Sequence, residues 1–117
     1  MIRTLLATRL ELEWLAGFVD GEGSFSVKNH DTPMIVISQS GDIGREVLRI
    51  VQTFLGYGHI YHYAPSGGLA QLPVYVFQVW GLEAIRLTKQ LLPSLRVKQE
   101  IALYRLRTWR LARGRKP

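Results

Sequence analysis

The sequence predicts an α+β domain with the element order αββαββα, in which four antiparallel strands form one sheet covered by helices. Three observations predict it. Apolar residues recur at helical spacing from Glu11 to Val19, where Trp14, Leu15, Phe18 and Val19 line one side. Two pairs of short β-branched and aromatic segments, each pair split by turn residues, follow at separate places in the chain. At 117 residues and 13.3 kDa the chain, residues 1–117, suits a single domain with one modest core.

The elements can be justified in order. The glycines from Gly21 end the first helical pattern, and SFSVKNH then alternates as a strand. Asn29-His30-Asp31-Thr32-Pro33 is a turn, and MIVISQ is the second strand of a hairpin. Asp42 is placed to cap the next helix, whose stripe of Val47, Leu48, Val51, Phe54 and Leu55 ends at Gly56. Gly58 opens a second hairpin, HIYHYA and VYVFQVW, joined by PSGGLAQLP, a connection expected to be exposed and mobile. A helix from Leu82 to Leu92 is stopped by Pro93, and another runs from Val97 to Leu111. Ile101, Leu103, Tyr104, Leu106 and Trp109 are its expected core contacts.

Charge is distributed unevenly. The net charge is +6, yet residues 1–85 carry five Lys/Arg against eight Asp/Glu, and residues 86–117 carry ten against one. The last thirteen residues, RLRTWRLARGRKP, hold six cations and no acid, as a phosphate-contacting tail would. A solvated face that keeps a small protein soluble is the plainer explanation. The absence of cysteine excludes disulfides and thiolate metal sites. No stretch approaches the roughly 18 apolar residues of a membrane span, so the expectation is a soluble intracellular protein.

With helices on one face of the sheet, the other is left to water or to a large partner. Alternation places Ser24, Ser26, Lys28 and His30 on one side of the first strand, with Tyr61 and Tyr63, or Val76 and Gln78, able to join them. Such a polar and aromatic surface can enter a major groove. His30, His59 and His62 lack a compelling ligand spacing and suit surface or DNA-contact roles better than a metal site.

The most informative stretch is Leu15-Ala16-Gly17-Phe18-Val19-Asp20-Gly21-Glu22-Gly23. Gly17 and Gly21, four residues apart beside Ala16, leave a nearly bare helix surface that another backbone can approach closely. Glu22 follows that surface. Two such helices packed about a two-fold axis would bring two carboxylates together, a hard-oxygen pair suited to Mg²⁺ and phosphodiester hydrolysis. Asp20 is expected to serve the backbone at the helix end.

This nine-residue stretch, LAGFVDGEG, resembles the signature of the LAGLIDADG homing endonucleases, and the surrounding element order extends the resemblance over nearly the whole chain. The resemblance implies a saddle-shaped sheet astride double-stranded DNA. It also implies a homodimer, because the motif occurs once, with Ala16, Gly17, Asp20 and Gly21 at the interface. Glu22, with the Gly21 carbonyl, would be the metal ligand. Gln39, in ISQSG, would position water, and Lys98, in PSLRVKQ, would act at the scissile phosphate. Seen alone, Gln39 is an ordinary strand-end amide and Lys98 a solvated cation. Ser24, Ser26, Lys28, His30, Ser38, Tyr61, Tyr63 and Gln78 would face the bases, and Arg105 and Arg113 the phosphates. Met34 and Val36 stand where polar base readers would be expected, so the resemblance says less about target specificity than about cleavage. The activity implied is a Mg²⁺-dependent double-strand break in a long pseudo-palindromic target, in intron or intein homing. An intron RNA maturase and a non-cleaving DNA-binding regulator are the alternatives on the same scaffold, and a purely structural dimerisation module ranks behind them.

Overall fold

The computed structural model describes residues 7–64 and 72–110. The described elements are α1 (Arg9–Glu22), β1 (Gly23–Lys28), β2 (Thr32–Ser40), α2 (Gly41–Leu55), β3 (His59–Tyr63), β4 (Val74–Trp80), α3 (Leu82–Leu91) and α4 (Gln99–Thr108), with a 3₁₀ turn at Leu92–Ser94. The order is the expected αββαββα, with α3 and α4 sharing the last helical segment. Residues 65–71 of the PSGGLAQLP connection, and the basic tail beyond Arg110 with Arg113, lie outside the described residues.

The strands form one antiparallel sheet in the order β1-β2-β4-β3, so the two hairpins meet along the β2–β4 seam. Register decides which face each side chain takes. Phe25, Ile35 and Val79 stand side by side across three strands, as do Gly23, Ile37, Phe77 and Ile60 in the next row. These rows face the helices. Phe25, Ile35, Ile37, Phe77 and Val79 are buried in one cluster with Leu15, Val19, Leu48, Val51, Leu87, Leu91 and Leu95. Each such large side chain contributes about 1.5–3 kcal/mol on burial, so this layer dominates stability.

Helix α1 starts earlier than its apolar spacing indicates. Thr8 accepts from the Glu11 amide at 3.1 Å and the Glu11 carboxylate accepts from the Thr8 amide at 2.8 Å, a reciprocal capping box that fixes the start. The exposed Arg9–Glu13 pair, at 3.4 Å, adds only about 0.3–0.5 kcal/mol, less than the roughly 1 kcal/mol of a cap. At its other end α1 runs through Gly21 to Glu22 rather than stopping at Gly21.

Other expectations are corrected. Asp42 does not cap α2. It lies inside the first turn after the N-cap Ser40, where its charge complements the helix dipole instead. Pro93 does not simply stop a helix; it sits in the 3₁₀ turn that follows α3. Helix α4 is shorter than Val97–Leu111 and turns Ala102, Leu106 and Trp109 inward, leaving Ile101, Leu103 and Tyr104 exposed. The reason is its anchorage: the Trp109 Nε1 donates to the Ser26 carbonyl at 2.6 Å, and the Arg105 Nε to the Phe25 carbonyl at 3.0 Å. These bonds cover the edge strand β1, and the docking angle they set overrides the periodicity. His30 is not part of the β1 alternation. It belongs to the turn, where Asn29 and His30 take φ of 52° and 76°.

Tyr57, between α2 and β3, packs half-buried against the core. Burial pushes its hydroxyl pKa from 10.0 up to about 12; the Glu83 charge adds to the rise and Arg86 opposes it. A raised folded-state value means that the Tyr57 contribution to stability is complete below the unfolded value and is lost as pH rises through the folded one. Denaturant titrations from pH 10 to about 12 should therefore show wild-type stability falling more steeply than that of Tyr57→Phe. Equal slopes would contradict this account.

Candidate active site and nucleic-acid interface

The C-terminal end of α1 gathers the residues singled out in the sequence. At Gly23 the chain leaves the helix directly into β1. A Cβ there would lie 3.1 Å from Val19 Cγ1 and 3.3 Å from Ile37 Cγ1, so only glycine passes without a neighbour giving way. Because Gly23 pairs with Ile37, Gln39 follows two residues on along β2 and shares the face on which α1 ends. Its Nε2 donates to Glu22 Oε1 at 3.3 Å and to the Ser38 carbonyl at 2.8 Å. Glu22 itself is exposed.

Behind Gln39 stands Gly44, in the first turn of α2. A Cβ on Gly44 would lie 2.7 Å from the Gln39 Cβ and 3.1 Å from its carbonyl carbon. The helix can therefore close on β2 only without a side chain at this position. Nothing in the local pattern marks Gly44, since the contact is made across the fold.

Lys98 reaches the same end of α1 from the segment between the 3₁₀ turn and α4. Leu95, fully buried, anchors that segment. The Asp20 carboxylate then accepts from the amides of Arg96 at 2.6 Å, Val97 at 3.1 Å and Lys98 at 2.9 Å. In return, the Lys98 Nζ donates to the Asp20 carbonyl, one of the acceptors left unpaired at a helix C-terminus. The cation thus sits at the negative end of the α1 dipole. Desolvation pushes the Asp20 pKa up, but the three amides and Lys98 outweigh it and hold the carboxyl below its ordinary 3.8. Asp20 serves backbone, but not that of its own helix end as expected: the amides it accepts from lie almost eighty residues away.

The motif's bare surface is also resolved. Ideal Cβ atoms on Gly17 and Gly21 would meet nothing within 4 Å among the described residues, so neither glycine is required for packing against them. Ala16 is 0% exposed and belongs to the core, so it offers no surface to a partner as an interface residue. The Asp20 carboxylate is committed within the chain.

The other face of the sheet carries most of the expected DNA-facing residues. Ser24, Val36, Gln78 and His59 form one row, Ser26, Met34 and Trp80 the next, and Ser38, Val76 and Tyr61 a third. Met34 and Val36 do point to this face, making part of it apolar. Tyr61 and Tyr63 are about half exposed. One residue was missed here. Trp80 lies between the His59 ring, stacked at 4.7 Å and 3°, and the Lys28 Nζ, 3.9 Å from its ring centroid. Extending the VYVFQVW alternation two residues beyond Gln78 would have found Trp80. His59 follows from the alternation with Tyr61 and Tyr63. Arg105 differs from expectation: it is half-buried and its Nε holds β1.

As a divalent-cation site, the end of α1 has suitable donors, since Glu22 and the Gly21 carbonyl are hard oxygens. Among the described residues, however, no group of three His, Cys, Asp or Glu side chains comes together.

An open antiparallel sheet of four strands, helices on one face and an acid-bearing helix end beside it, define the homing endonuclease fold, and the chain has that fold. It is similar to the solved structure of the homing endonuclease I-CvuI in complex with its target (Sro1.3) in the presence of 2 mM Ca, at 26% identity and a TM-score of 0.65. A second structure of I-CvuI, with the I-CreI target (C1221) in 2 mM Mg and its DNA not cleaved, matches at 26% identity and a TM-score of 0.64. Both matches cover 85% of this chain, which spans 65% of the length of those structures. No protein-family model matches the chain. No helix among the described residues is long and apolar enough to cross a membrane.

Replacing Asp20 by Ala leaves the three amides without their acceptor and should cost about 1–2 kcal/mol in urea denaturation, with Asp20→Asn losing less. Unchanged stability in Asp20→Ala would show that water replaces the carboxylate without cost.

Proposed function

We propose that the chain is one subunit of a homodimeric, site-specific DNA endonuclease that makes a metal-dependent double-strand break in a long pseudo-palindromic target, in intron or intein homing. The observation that carries this reading is the meeting of Glu22, Gln39 and Lys98 at one helix end, beside a glycine surface that none of the described residues covers. Similarity to a homing endonuclease solved with target DNA and with Ca or Mg supports it.

Each residue then has a task. Glu22, with the Gly21 carbonyl, would hold a divalent cation, and its counterpart from the second subunit would supply a second carboxylate. Mg²⁺, when bound, supplies charge neutralisation and a more acidic water. Gln39 is tied to Glu22 and orients the attacking water; its amide cannot serve as a base. Lys98 faces the negative charge that develops on the phosphate. The sheet's open face lies in the major groove, with Ser24, Ser26, Lys28, Ser38, Tyr61, Tyr63, Gln78, His59 and Trp80 toward the bases and His30 at the hairpin tip. Arg113 meets phosphate. Glu22→Gln keeps the shape and removes the charge, so cleavage of a randomised duplex library in Mg²⁺ should fall by about 100-fold or more. No product with the wild-type chain on any sequence would sink the nuclease and leave a non-cleaving binder.

The dimer is tested separately through Gly17. Because a Cβ there meets nothing within 4 Å, Gly17→Leu should fold as well as wild type, or gain up to about 1 kcal/mol from helix propensity. Sedimentation should nevertheless find it monomeric at concentrations where the wild type is a dimer. A monomeric wild type at micromolar concentration would contradict the proposed interface.

A further inference from the structure

On the helix side of the edge strand β3, α2 and the strand enclose a cleft of about 540 Å³ lined by Arg45, Arg49, Gln52, His62 and Tyr75, among others. Its lining holds none of Glu22, Gln39 and Lys98, although Tyr75 is the register partner of Gln39 and Tyr61 is shared with the sheet's open face. His62 and Tyr75 are a register pair on the face opposite Tyr61, which itself reaches the rim. Arg45 and Arg49 are one turn apart on α2, so both guanidinium groups face the same way. Among the described residues neither is ion-paired, and no carboxylate lines the cleft, although Asp42 and Glu46 belong to the same helix. The Arg45 guanidinium lies 5.9 Å from the Tyr75 ring centroid, and the His62 and Tyr75 rings are 5.5 Å apart.

Two fork-shaped cations suit phosphate oxygens, and adjacent aromatic rings suit the face of a base. A duplex keeps its base faces stacked inside, and one docked on the open face would lie on the other side of β3. Between a duplex and a single strand, it is the unpaired strand that can offer a phosphate and a base face to the same concave site. We propose that this cleft is a second nucleic-acid site, which binds a phosphate and the adjoining base of a single strand.

The test uses the full chain and fluorescence anisotropy with labelled oligo(dT), oligo(U) and a duplex, comparing wild type with Arg45→Ala/Arg49→Ala. Lys28→Ala serves as the open-face control. The arginine variant should bind at least one of the single strands about tenfold or more weakly, with a salt dependence shallower by about 0.7 for the one lost phosphate contact. Duplex binding and duplex cleavage should stay at the wild-type level. Dependence of oligo(dT) or of oligo(U) on the arginine pair supports the site and identifies which strand it takes. Equal losses for duplex and single strands, or lost cleavage, would assign the arginines to the duplex footprint and overturn the proposal. So would unchanged single-strand binding in the arginine variant, or a loss confined to Lys28→Ala. Competition by inorganic phosphate at the same concentration as oligonucleotide phosphate would reduce the cleft to a simple anion site, and also overturn it. Should the alanine pair fail to fold, Arg45→Gln/Arg49→Gln carries the same comparison. The proposal does not depend on nuclease activity, which is read out separately through Glu22.

Discussion

The Asp20 carboxylate is the fastening on which the arrangement depends. It binds three consecutive amides from the far end of the chain, and Lys98 answers by donating to the carbonyl of the same residue. This exchange satisfies three amides of the incoming segment and one carbonyl of the helix end. It also fixes where a cation lies relative to Glu22, two residues further along α1. The acid that does not face solvent chemistry is thereby what positions the group that does.

The second constraint is the two-sidedness of the sheet. One face is spent on the core, and the parity that buries Ile37 and Phe77 sends Ser24, Ser38, Gln78 and Trp80 outward. Stability and recognition are written on alternate residues of the same strands, so a one-residue slip of register would lose both. The sandwich of Lys28, Trp80 and His59 gives the outer face an ordered aromatic centre among mostly small polar side chains. At the β3 edge the parity has another effect, because His62 and Tyr75 turn toward α2 and meet its arginines.

Much of the site was legible in one dimension. LAGFVDGEG marked a helix that ends in an acid with glycines on either side, and the resemblance it carries pointed to PSLRVKQ and ISQSG for two candidate companions. Local signals that were overlooked were nonetheless present: Thr8 and Glu11 have the spacing of a capping box, and Trp80 continues a strand alternation. Other features had no local signal. Gly44 is required by Gln39, which approaches it from another element, and Arg105 differs from its neighbouring arginines only in the carbonyl it reaches. Ala16 has the same small side chain whether it faces a partner or the core, and α1 turns it inward.

By itself the sequence determined the element order, the hairpin pairs and the alternation that sets the faces of the strands. These follow from short-range physics, namely helical and strand periodicity and turn chemistry acting within a few residues. Tertiary structure alone decided that Asp20 meets the amides before α4, that α4 turns Ala102 rather than Ile101 into the core, and that Gly17 and Gly21 face open space. Those outcomes depend on how elements distant in the chain dock, and docking is set by the shapes and unmet hydrogen bonds of surfaces that exist only once the sheet and helices have assembled.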